Sequence, residues 1–152
     1  MTAMPPMCRK APPALVAVLV AACSSQAGEP FDALRLQEDT GVIFLAQNVV
    51  PDAVMEALFQ GRVVEDAAGC LRLDSPDPAT VIWPKGFTVA VIGDTMIVHS
   101  AAGREIGRIG GSFRLGGGEV PSLGEHIGIS DADRQRAETH CPGRYWIVGN
   151  VP

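Results

Sequence analysis

Beyond residue 60 the chain consists of short runs of β-branched, aliphatic and aromatic residues, separated by segments rich in Gly, Asp and Pro. Runs of this length with such boundaries predict β-strands that are joined by tight turns. The predicted strands cover residues 62–65, 70–73, 80–83, 87–92, 95–99, 104–109, 112–115 and 145–148. Residues 66–69 and the pair Gly93-Asp94 have the composition of hairpin turns. Glycines 116–118 are interpreted as the end of the seventh strand.

A single helix is predicted between the seventh and the last strand. Ser130 has the side chain of a helix N-cap, and Asp131 and Asp133 carry the negative charge that stabilises a first turn. We therefore expect a helix that extends through Ala137. Short strands at a spacing of about ten residues are typical of barrels and sandwiches. The domain is predicted to be all-β, a small antiparallel barrel (OB-like) or a sandwich, with one short helix before the last strand.

Residues 31–60 allow more than one interpretation. Apolar positions alternate around residues 38–41, which favours a hairpin with Leu34, Leu36, Val42, Phe44 and Ala46 as the alternating positions. Residues 51–59 fit either a short helix, with Pro51 at its first position, or the approach to a strand.

The N-terminus has the layout of a secretory signal peptide. Arg9 and Lys10 precede an apolar stretch over residues 11–22 that is too short to span a bilayer. Residues 19–23, Leu-Val-Ala-Ala-Cys, resemble a bacterial lipobox, in which small residues precede an invariant cysteine. The resemblance implies transfer of a diacylglycerol to the Cys23 thiol, cleavage before Cys23 and acylation of the new amine, with palmitate as a typical chain. The alternative is an ordinary secretion signal.

These features divide the chain into a signal peptide (1–22), a lipidated tether (23–30) and a single β-rich domain (31–152). The signal is preserved whether Met1, Met4 or Met7 is the start. Two or more acyl chains anchor a protein stably to a membrane, so we expect the mature protein in the cell envelope. Ser24 and Ser25 follow the cysteine, which favours the periplasmic side of the outer membrane if the source is Gram-negative.

The charge of the mature chain argues against nucleic acid as a partner. The full sequence has 12 Lys and Arg and 17 Asp and Glu. Because Arg9 and Lys10 leave with the signal, ten basic residues then face 17 acidic ones, a formal charge of −7. An acidic domain repels phosphate backbones.

The four cysteines have different predicted fates. Cys8 is removed with the signal, and Cys23 is lipidated. Cys70 and Cys141 remain as a pair in an oxidising compartment, which predicts one disulfide. The alternative is a metal site formed by Cys141 and His140, but neighbouring side chains in a strand point to opposite faces.

Four segments resemble a family of uncharacterised small exported bacterial proteins. They are residues 70–73 (Cys-Leu-Arg-Leu), 83–87 (Trp-Pro-Lys-Gly-Phe), 114–119 (Arg-Leu-Gly-Gly-Gly-Glu) and 141–149 (Cys-Pro-Gly-Arg-Tyr-Trp-Ile-Val-Gly). The resemblance covers about residues 61–151. It implies a shared fold and brings no activity with it.

Aromatic residues and their basic neighbours form the candidate binding surface. It consists of Trp83, Lys85, Phe87, Arg144, Tyr145 and Trp146. As a surface cleft these residues suit a glycan, a peptide or a partner protein; the alternative is that the aromatic side chains form the core.

Candidate catalytic and metal-binding groups are few. The only histidines are His99, His126 and His140, and no pair of them has the spacing of zinc ligands. The glycines of residues 103–118 lack the Lys-Ser/Thr ending of a phosphate loop. We expect no metal, no cofactor and no catalytic residues, and a membrane-anchored, non-catalytic binding domain for an envelope protein or a cell-wall partner. The alternative is an envelope hydrolase with an unrecognised site that involves His99 or His140.

Overall fold

The computed structural model of the protein describes residues 41–51 and 55–152, apart from the side chain of His126. The signal peptide, Cys23, the tether and residues 34–40 of the proposed hairpin lie outside these ranges, so the statements about them stay predictions. Within the ranges, no helix is long and apolar enough to cross a membrane.

Nine strands and one α-helix form the described part of the chain. The strands are β1 (Leu45–Ala46), β2 (Ala57–Glu65), β3 (Leu71–Leu73), β4 (Ala79–Trp83), β5 (Thr88–Ile92), β6 (Thr95–His99), β7 (Glu105–Arg108), β8 (Ser112–Val120) and β9 (Arg144–Asn150). A short 3-10 helix (Glu125–Ile127) and the α-helix α1 (Asp131–His140) lie between β8 and β9.

Five strands close into a barrel in the order β2, β3, β4, β9, β8 and back to β2. Of the two predicted architectures, a small OB-like barrel and a sandwich, the barrel is the one observed, and the short helix before the last strand is confirmed. One pairing departs from the antiparallel pattern: β4 and β9 run parallel, with Thr80 opposite Tyr145 and Ile82 opposite Ile147. Since Ile82 also pairs with Leu45, the two-residue strand β1 lies along the other edge of β4.

Strands β5, β6 and β7 form a second, antiparallel sheet that is inserted between β4 and β8. The predicted hairpin at Gly93-Asp94 is confirmed, because Ile92 pairs directly with Thr95 across this two-residue turn. Gly93 has a φ of 60°, which only glycine adopts without strain, whereas Asp94 keeps a negative φ. Glycine at the first turn position is the mark of a type II′ hairpin turn.

Two layers of apolar side chains stabilise the barrel. Inside it, Trp83 stacks on Phe44 with a centroid distance of 5.7 Å and on Phe87 at 6.2 Å, and its edge meets Phe113 at 5.8 Å. Outside it, Leu45, Ile82 and Ile147 pack against Ala137 of α1 and against the segment before that helix. Both faces of β4 are therefore buried, as its sequence Ala-Thr-Val-Ile-Trp, apolar except for Thr80, favours.

The predicted cap of the helix is confirmed, and the helix is longer than expected. The Ser130 hydroxyl accepts a hydrogen bond from the amide of Asp133 at 3.1 Å. The last turn continues past Ala137 to His140.

Residues 57–59 belong to β2, so the interpretation of residues 51–59 as the approach to a strand is confirmed there and the short helix is not. One prediction of an element boundary is wrong. Glycines 116–118 do not end a strand but lie within β8, which continues to Val120. They are glycines because neighbours approach closely: a side chain at Gly116 would meet Asn150, and one at Gly118 would meet Met55.

Candidate functional site

The residues of the predicted binding surface do not share one surface in the structure. Trp83 is 0% exposed and Trp146 is 8% exposed, and both point into the barrel. Tyr145, 2% exposed, faces outwards but is covered by the second apolar layer. The three buried side chains match the alternative in which these aromatic residues form the core.

Of the remaining three residues of that set, Lys85 and Phe87 lie two positions apart between β4 and β5, whereas Arg144 lies elsewhere on the barrel. Phe87 is half-buried against Trp83, while Lys85 is exposed in the turn between β4 and β5. Arg144 is exposed at the start of β9 and forms an ion pair with Glu119 of β8. The pairing register explains the separation, because Arg144 pairs with Ala79 at the start of β4, whereas Lys85 and Phe87 follow the end of that strand.

Cys70 and Cys141 form a disulfide, with their Cα atoms 5.7 Å apart and both residues fully buried. Cys70 lies at the end of the β2–β3 loop, and Cys141 follows the last residue of α1. The bond therefore joins the β2–β3 loop to the long connection between β8 and β9.

Polar contacts reinforce the same junction. Asp66 accepts hydrogen bonds from the amides of Ala68 and Cys70, each at 2.9 Å, and from Nε of Arg72 at 2.6 Å. The other side of the Arg72 guanidinium donates to the carbonyl of Pro142 at 3.2 Å. We call Asp66, Arg72 and Pro142, together with the disulfide, the loop clamp.

The position of the loop clamp bears on where a ligand can bind. OB domains bind oligonucleotides and oligosaccharides with their second and third strands and with the loops before the second and the last strand. The corresponding elements here are β3, β4, the β2–β3 loop and the β8–β9 connection. In this barrel the two loops are bonded to each other, and α1 with its preceding segment covers the outer face of β4.

The carboxylate of the loop clamp has a shifted pKa. Burial acts to raise the pKa of Asp66, but the hydrogen bonds from Cys70, Arg72 and Ala68 outweigh it, so the pKa lies below its ordinary value. A carboxyl group with a lowered pKa in the folded state stabilises the fold above about pH 4, and this stabilisation is lost as the pH falls through the lowered pKa.

We expect the variant Asp66→Asn to melt about 5 °C below the wild type at pH 7, because the amide no longer holds Arg72 by charge. The difference should shrink as the pH falls through the lowered pKa of Asp66, since protonation removes the charge on this carboxylate. Thermal unfolding followed by circular dichroism between pH 2.5 and 7 measures the difference. Asp77→Asn, at an exposed turn, is the control. A difference that persists unchanged at pH 2.5 would contradict the assigned role of the charge.

The histidines proposed for a hydrolytic site lie in different parts of the fold. His99 is the last residue of β6, half-buried, and His140 is exposed at the end of α1. Ser100, beside His99, accepts a hydrogen bond from the amide of Arg104 and so takes part in the turn before β7. In the described ranges, no three His, Cys, Asp or Glu residues are grouped closely enough to hold a metal ion.

A depression of about 190 Å³ lies beside Tyr145. Its lining includes Tyr145, Glu138 of α1 and Pro142 of the loop clamp. Burial, and secondly the nearby carboxylate of Glu138, raise the pKa of the Tyr145 phenol. Pockets for small molecules have volumes of about 300–1,000 Å³, so this depression suits at most a single protruding side chain of a partner.

A group of exposed apolar side chains was not anticipated from the sequence. Met55 and Leu58 are 40% and 51% exposed. Leu58 pairs with Gly116 on the outer side of β2, and Met55 lies against Gly118. We call Met55, Leu58, Gly116 and Gly118 the glycine platform. Val49 and Val50, on the segment that precedes it in sequence, are also exposed.

A signal for the glycine platform was present in the sequence. Phe59, Gly61 and Val63 of β2 are the positions that face the barrel, so Leu58 is apolar at a position that faces outwards. The outward position of Leu58 can be recognised only once β2 is known to begin at Ala57.

Comparison with protein-family models, curated proteins and solved structures finds no match for this chain.

Proposed function

We propose that the protein is an envelope lipoprotein, held at a membrane by lipid on Cys23, whose barrel binds an envelope protein or a cell-wall partner without catalysis. The lipobox-like residues 19–23 support the anchor. The buried disulfide supports an exported location, because such bonds persist in oxidising compartments. The seven residues 24–30 reach at most about 25 Å when extended, which keeps the domain close to the membrane.

The glycine platform is the observation that carries the proposal of a binding role. Exposed apolar side chains that lie together are characteristic of protein interaction sites. Gly116 and Gly118 are themselves buried, and Met55 packs against Gly118, so Met55 and Leu58 form the exposed apolar part of this surface. The loop clamp occupies the region that OB domains use for oligomeric ligands, so we place the binding site on the glycine platform instead.

Replacing Cys23 with Ser should release the protein from the membrane or leave it unprocessed. The thiol is the proposed site of the lipid, and serine does not accept the diacylglycerol. Partitioning of cell extracts in a detergent phase-separation assay measures the anchor. Ser24→Ala, one residue further on, should leave the protein in the detergent phase. A Cys23→Ser protein that still partitions into detergent would rule out this anchor.

A photo-crosslinking amino acid at position 58 should capture a partner in intact cells, because Leu58 lies at the centre of the glycine platform. Position 77, on an exposed turn, provides the matched control. We expect a discrete crosslinked species from position 58, at least five-fold stronger than from position 77, and its loss when Met55→Asp is added. Equal crosslinking from both positions would mean that the platform does not bind a specific partner.

A further inference from the structure

Strand β5 lies at one edge of the small sheet. In the described part of the chain it pairs with β6 alone. Because Ile92 and Thr95 flank a two-residue turn, they form a hydrogen-bonded pair, and the alternation continues along the hairpin. Val89 and Val91 occupy the alternate pairs, so their N–H and C=O groups point away from β6 to the outside of the sheet.

This edge lacks the features that protect free strands from pairing. Such features are charged side chains, proline and bulges. The sequence of β5 is Thr-Val-Ala-Val-Ile, without a charge or a proline, and its register with β6 is regular. By contrast, β7 at the opposite edge of the same sheet carries Glu105 and Arg108, which form an ion pair at 3.1 Å. Ile92, at the end of β5, is 64% exposed.

We propose that β5 pairs with β5 of a second copy of this chain, antiparallel about a two-fold axis at Ala90. In this register Val89 of each copy lies opposite Val91 of the other, so the outward N–H and C=O groups form four hydrogen bonds. Ile92 then lies opposite Thr88 of the other copy, and its exposed side chain gains an apolar neighbour. The two small sheets become one continuous sheet of six strands.

Charged residues beyond the two ends of β5 favour a second copy of this chain as the partner of the strand. Lys85 precedes the strand and Asp94 follows it, and both are exposed. Antiparallel pairing brings Lys85 of one copy to the end that carries Asp94 of the other, and the two-fold axis repeats the contact. A parallel arrangement would place like charges together. The strand is thus self-complementary in backbone, apolar side chains and charge, as an isologous interface requires.

The pairing is weak in solution and is favoured by confinement. A strand of five residues on each side buries less than the roughly 1,200 Å² of a stable standard interface. Attachment of two copies to one membrane raises their effective concentration. The inference concerns β5 alone and does not depend on a partner at the glycine platform.

Cysteine crosslinking of the full chain in isolated cell envelopes tests the proposal. Ala90→Cys places two thiols across a non-hydrogen-bonded pair, where Cα atoms are about 4.5 Å apart, within the range of disulfides. After mild oxidation we expect at least ten-fold more covalent dimer than from Arg104→Cys, an exposed position at the other edge of the sheet. Equal yields from the two variants would overturn the proposal, as would crosslinking of Ala90→Cys to a different protein only.

Two further changes examine the backbone and the charges. Val91→Pro removes an outward N–H, which an edge strand tolerates, and should abolish the dimer of Ala90→Cys.

Lys85→Glu should reduce the dimer several-fold, and adding Asp94→Lys should restore it. Asp94 follows Gly93 with a negative φ, so lysine fits the turn. Failure of the double exchange to restore the dimer would contradict the antiparallel register. Because Lys85 and Asp94 are exposed, this result does not depend on the folding of the proline variant.

Discussion

Replacing either Cys70 or Cys141 with Ala should lower the melting temperature by about 15 °C. The disulfide closes a loop of 71 residues, and the chain-entropy model then gives a stabilisation of about 4 kcal/mol. A change of 1 kcal/mol moves the melting temperature of a domain of this size by about 4 °C. Circular dichroism on the oxidised protein measures the shift.

The double variant Cys70→Ala/Cys141→Ala distinguishes the effect of losing the disulfide from the effect of losing each cysteine side chain. One bond is lost in all three variants, so the double variant should melt within a few degrees of either single variant. Reduction of the wild-type protein should produce a similar loss of stability. Additive effects of the two single variants, or two free thiols in the oxidised wild type, would contradict the disulfide. The loop clamp would then consist only of the contacts among Asp66, Arg72 and Pro142.

Trp83→Ala should destabilise the domain by about 3–5 kcal/mol, the usual cost of removing a large buried aromatic side chain. Trp83 is fully buried between Phe44 and Phe87 and contacts Phe113, so its removal leaves a cavity among rigid rings. Unfolding by urea with a fluorescence or circular dichroism readout measures the change. Lys85→Ala, two residues away and exposed, should alter stability by less than about 0.5 kcal/mol.

Trp83→Phe refines this prediction. The indole N–H of Trp83 has no hydrogen-bond partner among the described residues. Phenylalanine fills part of the space and also removes this unpaired donor, whose burial is unfavourable. The Phe variant should therefore be much more stable than the Ala variant. Near wild-type stability of Trp83→Ala would mean that the indole is not a core element.

The local parts of the fold were predictable because their signals are local. A hairpin depends on a few adjacent residues, and Gly93-Asp94 lies between two β-branched runs. The cap at Ser130 is likewise formed with a residue three positions away. The disulfide was predictable for a different reason, since the two cysteines are the only pair left after the signal peptide and the lipid site are set aside.

Features that depend on distant neighbours were not predictable. Glycines 116–118 look like a turn in sequence, and only the approach of Met55 and Asn150 explains why β8 needs them. The aromatic candidates failed to define a surface for a similar reason. Tyr145 faces away from the barrel interior, yet α1 and its preceding segment cover that side. The exposed position of Leu58 could be predicted only if β2 were known to begin at Ala57, because the extent of the strand decides which residues face outwards.

The parallel pairing of β4 with β9 has a consequence for how the chain acquires its structure. Residues 79–82 find their partners at residues 144–147, so the barrel stays open until almost the whole chain is present. Contacts of such large sequence separation slow folding, because loop-closure entropy is lost before they form. The hairpin β5–β6 joins neighbouring residues and is expected to form first. The barrel is therefore expected to close only after residues 144–147 have been synthesised, which would keep the polypeptide unfolded for the passage through a secretion channel that the proposed export requires.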